Sequence, residues 1–212
     1  MFAHYRLVVS RLLLVAIIVV FAAGASCFGI GDETPCSPTD PSCGGVPPSS
    51  LPQARTLTVP YIGQRTPVWC WAATSTMVLQ YYGVQVDQCQ IVTTYLQRDC
   101  CFFGVGDQFC GVTASLSTMQ AAMQYGGVRS TYVPSPLTFD QIVNEIGAGR
   151  PIIMAYRGSF SGHVVVLVGY NRANQTLVIY DPFYGPVTVP YGASFKYSGE
   201  LVWVESLVGL SR

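Results

Sequence analysis

The hydrophobic pattern of the chain changes character halfway along it. From Cys70 to Tyr82 (CWAATSTMVLQYY) the alanines, Met77, Val78 and Tyr81 recur at helical spacing, and Gly83 ends the run. A second helix is predicted over Gln88 to Gln97. A third is predicted over Ala114 to Tyr125, with Thr113 as its cap and Gly126-Gly127 as its stop. Thr138 and Gln141 have capping-box spacing before a short fourth helix that ends at Gly147 or Gly149. After Pro151 the apolar runs shorten and become β-branched and aromatic: Ile152 to Tyr156, His163 to Tyr170 (HVVVLVGY), Leu177 to Tyr180, Val187 to Val189 and Leu201 to Glu205. Gly162, Asn171, Asn174, Gly185 and Gly192 supply the turns between them. Helices first and strands second predict an α+β domain of two unlike lobes with a cleft between its halves.

Two stretches fall outside this pattern. Near the N-terminus Arg6 and Arg11 precede the uncharged run Leu12 to Ala25 (LLLVAIIVVFAAGA), which suits a secretion signal and is short for a spanning helix. Ala23-Gly24-Ala25 fits a small-residue cleavage site, whereas Gly24-Ala25-Ser26-Cys27 resembles a bacterial lipobox in which Cys27 becomes lipidated and attaches the chain to a membrane. An uncleaved anchor is the third reading, and export is the expectation. With residues 1–26 as the signal, residues 27–56 are rich in Pro, Ser and Gly (from Phe28, FGIGDETPCSPTDPSCGGVPPSSLPQAR) and read as a tether. The folded domain, residues 57–212, is expected to begin near Leu57.

Composition narrows the function classes. Half of the residues are hydrophobic, enough for a substantial core. Formal net charge is zero, Lys196 is the only lysine, and no basic cluster appears, so nucleic acid is not an expected partner.

Export alters how the eight cysteines are read, because disulfides persist outside the cytosol. With Cys27 lipidated and Cys70 free, an even set remains. Cys36 and Cys43 can close a Pro-rich loop. Cys89, Cys100, Cys101 and Cys110 then form two bridges in one of three connectivities. Cys100 and Cys101 are adjacent, so each is expected to bond elsewhere. Four bridges that include Cys27 and Cys70 satisfy parity equally well. No C-x-x-C pair occurs and no histidine lies near the cluster, so neither a zinc site nor a cofactor is expected.

Four residues carry candidate chemistry. Of the two histidines, His4 lies in the signal, which leaves His163 as the sole imidazole of the mature chain. It directly follows Ser161-Gly162 at the start of an apolar strand, a place where a histidine can equally be a plain strand-edge residue. Cys70 begins a helix, where unpaired N–H groups and the dipole stabilise a thiolate nucleophile; between Trp69 and Trp71 it can also be a core thiol. Asp181 follows the strand Leu177 to Tyr180. If that strand pairs with the one bearing His163 through the Asn171–Asn174 turn, the carboxylate can orient the imidazole. A turn-forming Asp-Pro is the plainer reading. Gln64 lies six positions before Cys70, and its amide can join the Cys70 backbone N–H in stabilising an oxyanion.

A Gln, then six residues on a Cys opening a helix, then a His and an Asp in the β half: in this order the four resemble the papain-like cysteine peptidases. VPYIGQRTPVWCWAATSTMVLQYYG is similar to the secreted bacterial papain-like group related to plant-pathogen effector proteases and to the peptidase domains of bacteriocin exporters. The cysteine spacing after Asp87-Gln88-Cys89, the run Gly162-His163 into VVVLVGY, and Tyr180-Asp181-Pro182 extend the likeness from Val59 to Pro182. The resemblance implies a papain-like two-lobed fold, with the nucleophile helix in the N-terminal lobe and an antiparallel β lobe after it. It implies Cys70 as nucleophile, His163 as base and then acid, Asp181 as orienting group and Gln64 as oxyanion donor, acting on a peptide or protein substrate as an endopeptidase. The cysteine stands in VWCWAA where papain itself has a CGSC-type context, and Asp stands where papain has Asn. A transglutaminase-like acyltransferase and a cell-wall peptidase are the enzymatic alternatives, and a disulfide-stapled binding module is the non-enzymatic one.

Overall fold

A computed structural model of the chain describes residues 50–103, 108–197 and 199–212. The signal run, Cys27, the Cys36–Cys43 loop and the tether as far as residue 49 lie outside the described residues.

The helical half follows the apolar periodicity closely. Helix α1 spans Cys70–Tyr81 and is enclosed on all sides, since every residue from Trp71 to Leu79 is buried. Gly83, at φ 80°, adopts the left-handed turn that ends it, with Gly83 N–H donating to Gln80 O at 3.0 Å and Val84 N–H to Leu79 O at 2.9 Å. Helix α2, Gln88–Leu96, opens with a capping box made by Asp87 and Gln90. The short α3, Cys100–Phe103, was not foreseen from the sequence. Helix α4 spans Leu116–Tyr125 and is capped by Ser115, whose hydroxyl accepts from Thr118 N–H at 3.3 Å. It therefore starts two residues later than expected, and Thr113 is left in the preceding loop. Helix α5, Phe139–Gly147, has the capping box read from Thr138 and Gln141, and it buries Ile142, Val143 and Ile146.

Two disulfides staple this half: Cys89–Cys101 and Cys100–Cys110. The adjacent cysteines thus bond apart, as expected, and one of the three connectivities is selected. Closing loops of this length restricts the unfolded chain by about 2–3 kcal/mol each.

The strands form one antiparallel sheet in the order β2-β8-β3-β4-β5-β6, with β1 added to β4 and β7 to β8. Their ranges are β1 Ala54–Thr56, β2 Arg129–Val133, β3 Ile152–Arg157, β4 Gly162–Asn171, β5 Thr176–Asp181, β6 Gly185–Pro190, β7 Lys196–Tyr197 and β8 Leu201–Ser211. β3 and β4 are buried almost throughout, which explains their unbroken apolar runs. β2 has no buried position and three exposed ones, and β1 is three residues long, so neither announced itself by periodicity. β8 runs well past Glu205 because Gly209, at φ 63°, lets the strand continue through an irregular register opposite Thr131.

The last residues of the expected tether are docked on the sheet. Ala54, Arg55 and Thr56 pair with Asn171, Tyr170 and Gly169. Gln53 O accepts from Arg172 N–H at 2.8 Å, and Pro52 O from the Tyr170 hydroxyl at 2.9 Å. The ordered fold thus begins ahead of Leu57. Gly169 makes this pairing possible: a Cβ there would stand 2.6 Å from Thr56 Oγ1 and 2.9 Å from Arg55 O. Gly169→Val should therefore force β1 off β4 and cost about 1–3 kcal/mol. Urea denaturation measures it, and an unchanged midpoint would contradict the close approach.

Candidate functional site

The start of α1 is built by the loop before it. Thr66 O accepts from Trp69 N–H at 3.2 Å and from the Gln64 side-chain amide at 2.7 Å, so one carbonyl ties Gln64 to the helix entrance. The helix has no side-chain cap at Trp69. Its first N–H groups have no intrahelical partner, as at any helix start, and they present partial positive charge around Cys70. Cys70 is half-buried and is the free thiol among the described residues, so the pairing scheme that placed it in a bridge does not apply.

The tryptophans on either side have polar work to do. Trp69 Nε1 donates to Cys110 O at 2.8 Å and Trp71 Nε1 to Val112 O at 2.9 Å. Both indoles thereby hold the segment that leads from the Cys100–Cys110 bridge into the wall formed by Thr113 to Leu116.

One helical turn after Cys70, the buried Thr74 hydroxyl donates to Val164 O at 3.2 Å. That bond fastens α1 to β4 one residue beyond His163. Positions 70 and 74 share a helix face, so the bond also turns the sulfur toward the imidazole. A threonine four residues after the cysteine is the sequence signal that could have revealed it.

His163 and Asp181 meet across the β4–β5 hairpin. Val166 pairs with Tyr180, so continuing the register puts Asp181 diagonally across from His163 on the same face. His163 Nε2 lies 3.0 Å from Asp181 Oδ1, with the His side chain 12% exposed and the Asp side chain 0%. The same oxygen accepts from Phe183 N–H at 2.6 Å and Tyr184 N–H at 3.0 Å. Asp181 therefore shapes its turn and holds the ring; the two readings of the Asp-Pro pair coexist. The Cys70 side chain is close enough to the ring to raise its pKa by hydrogen bonding and by charge.

Burial by itself pulls the His163 pKa down. The hydrogen bonds to Asp181 and then Cys70, and the attraction of the charge on each, outweigh it and raise the value from 6.5 to about 9. Tyr156, cross-strand from His163, has a hydroxyl driven well above its usual range by burial and by the Asp181 charge.

A cavity of about 410 Å³ opens on Cys70 and His163. Leu116, Ala155, Tyr156 and Val164 give it apolar surface, and Arg157 and Glu205 form an ion pair beside it. Gln64 is not among its lining residues. It sits instead at the turn after Asp181, where its backbone N–H donates to Pro182 O at 2.7 Å. Among the described residues no cluster of His, Cys, Asp or Glu could hold a metal ion.

The model of the Peptidase_C39 like family matches residues 56–205. Xylellain, a cysteine protease from Xylella fastidiosa, superposes with a TM-score of 0.50 at 14% identity, over 78% of this chain and 88% of that one, and so shares the fold. The peptidase domain of Streptococcus ComA, a bi-functional ABC transporter involved in quorum sensing, gives 0.49 at 13% identity over 71% and 96% of the two chains. A double glycine motif protease from an AMS/PCAT transporter, crystallised with a leader peptide, gives 0.48 at 23% identity over 72% and 91%. No curated protein matches the chain with significance.

The raised pKa has a stability consequence. An imidazole whose folded value exceeds its unfolded one adds stability that is complete below pH 6.5 and is lost as pH rises through about 9. The His163 ring should accordingly titrate near pH 9 in an NMR experiment, and Asp181→Ala should bring the midpoint down. A midpoint that stays near 6.5 in the unaltered protein would contradict the two-sided clamp.

Proposed function

Because the chain belongs to the Peptidase_C39 like family and is a papain-like cysteine peptidase, we propose that it is an exported endopeptidase working through a Cys70-His163-Asp181 triad with Gln64 as oxyanion donor. The observation that carries this reading is the imidazole of His163 held by the buried Asp181 carboxylate at 3.0 Å on the cavity that Cys70 also lines.

His163 takes the Cys70 proton, giving an ion pair whose imidazolium Asp181 supports. Sulfur attacks the carbonyl carbon of a peptide bond, forming a C–S bond while the carbonyl electron pair moves to oxygen. The Cys70 N–H and the second N–H of the Gln64 amide stabilise that oxyanion, the first amide N–H being engaged by Thr66 O. As the tetrahedral species collapses, the C–N bond breaks and His163 gives its proton to the leaving amine. Neutral His163 then takes a proton from water, whose hydroxide attacks the thioester. Collapse expels the sulfur, regenerates the ion pair and releases the acid product. Asp181 stays ionised throughout, holding the ring with Nδ1 toward sulfur.

The apolar face of the cavity suits a peptide that lays at least one hydrophobic side chain beside the scissile bond. Export is supported by the uncharged run Leu12–Ala25 and by two bridges of a kind that persist in oxidising compartments. Mass spectrometry of the mature N-terminus should show processing after Ala25 or a lipidated Cys27. An intact Met1 terminus would refute both processing routes and leave the uncleaved anchor.

Cys70→Ala should leave the unfolding free energy within about 1 kcal/mol of the unaltered protein, as for most substitutions that open no large cavity. It should also abolish cleavage of labelled casein. Residual turnover in that variant, or no cleavage by the unaltered protein, would sink the assignment.

A further inference from the structure

Gln88 is the first residue of α2 and is 2% exposed, a rare place for a side-chain amide. Both ends of that amide are engaged. Its Oε1 accepts from Arg65 N–H at 3.1 Å, and its Nε2 donates to Gly63 O at 2.8 Å. Gly63 and Arg65 are the residues on either side of Gln64. One buried side chain therefore grips both peptide units that flank the residue read as the oxyanion donor.

The residues around Gln88 stiffen this grip. Asp87 accepts from Cys89 N–H at 3.0 Å and pairs with the Arg65 guanidinium. Cys89 is bridged to Cys101, which fixes the first turn of α2. On the opposite flank Gln64 N–H is anchored at Pro182 O, directly after the carboxylate that holds His163. The Gln64 amide itself is oriented by Thr66 O, while its own Oε1 is buried without a hydrogen-bond partner among the described residues. An amide in that state gains by turning to satisfy its oxygen, so something must keep the loop from yielding. A methionine would fill the same volume as Gln88 without the cost of desolvating an amide, but it could not make these two bonds.

We infer that Gln88 is a positioning residue for the oxyanion site, holding the peptide units around Gln64 so that the remaining amide N–H points at the developing negative charge. This rests on the reading of Gln64 as an oxyanion donor. Donors of this kind act only when aimed at the place the oxyanion will occupy, and small displacements are costly.

The test compares Gln88→Met, Gln64→Ala and the double variant on labelled casein, alongside alkylation of Cys70 by iodoacetamide. Alkylation displaces iodide from a saturated carbon and creates no oxyanion, so it reports the thiolate and the fold without involving the donor. Gln88→Met should lower kcat about ten- to a hundredfold, somewhat less than outright loss of one donor. KM and the alkylation rate should stay within about a factor of three, as for a group acting only in the transition state. In the Gln64→Ala background the same substitution should cost almost nothing more. Should Gln88→Met not fold, Gln88→Glu keeps the acceptor for Arg65 N–H, removes the donor to Gly63 O, and should show the same selective loss of kcat. If Gln64→Ala damages kcat while both Gln88 variants leave it intact, or if the losses simply multiply, the inference about Gln88 fails alone. If Gln64→Ala is fully active, the reading of Gln64 fails and the inference goes with it.

Discussion

Everything at the site depends on a carboxylate that has been taken wholly out of water. Asp181 is fully buried, and a charge in that position is tolerable only when it is paired and hydrogen-bonded. It receives the His163 ring and the N–H groups of Phe183 and Tyr184 on one oxygen. The pairing explains why a largely buried imidazole is held toward its charged form although burial opposes it. It also explains the tightness of the β5–β6 turn, because the N–H groups that close the turn are the ones that hold the carboxylate in place.

The helical half performs the complementary task for sulfur. Thr74 fixes the distance between α1 and β4, while Trp69 and Trp71 fix the loop that follows Cys110. The tryptophans are large enough to fill the core and still present an N–H to a carbonyl, which is what a residue must do when it packs and positions at once. The Cys100–Cys110 bridge then ties the start of that loop to α3. Nucleophile, base and cleft wall are thus attached to three different elements that are locked to one another by side-chain bonds to backbone oxygens.

The sequence was legible where periodicity is strong. The buried runs of β3 and β4, the alanine-rich helix after Cys70 and the Thr138–Gln141 box announce their conformations locally. The hairpin that brings His163 and Asp181 together could be anticipated from one turn. Non-local pairing was harder to see: β1 and β2 are short and partly exposed, and only their partners make them strands. The start of α4 was misplaced because Thr113 and Ser115 are both competent caps, and tertiary fit selected the second. Disulfide connectivity was likewise open, since spacing constrains it only weakly. Thr74 and Gln88 went unnoticed because a buried threonine or glutamine has no pattern of its own, and its meaning lies in the carbonyls and amides it reaches.

The sheet order places the last strand in the interior. β8 lies between β2 and β3, and β3 in turn borders the strand that carries His163. During synthesis, then, one long edge of β3 stays open until residues 201–211 have left the ribosome, and its hydrogen-bonding groups wait for a partner separated from them by some forty intervening positions. Closure of the sheet that carries the base is thus a contact between distant segments, of the kind that costs more loop entropy than the local helices that hold the sulfur.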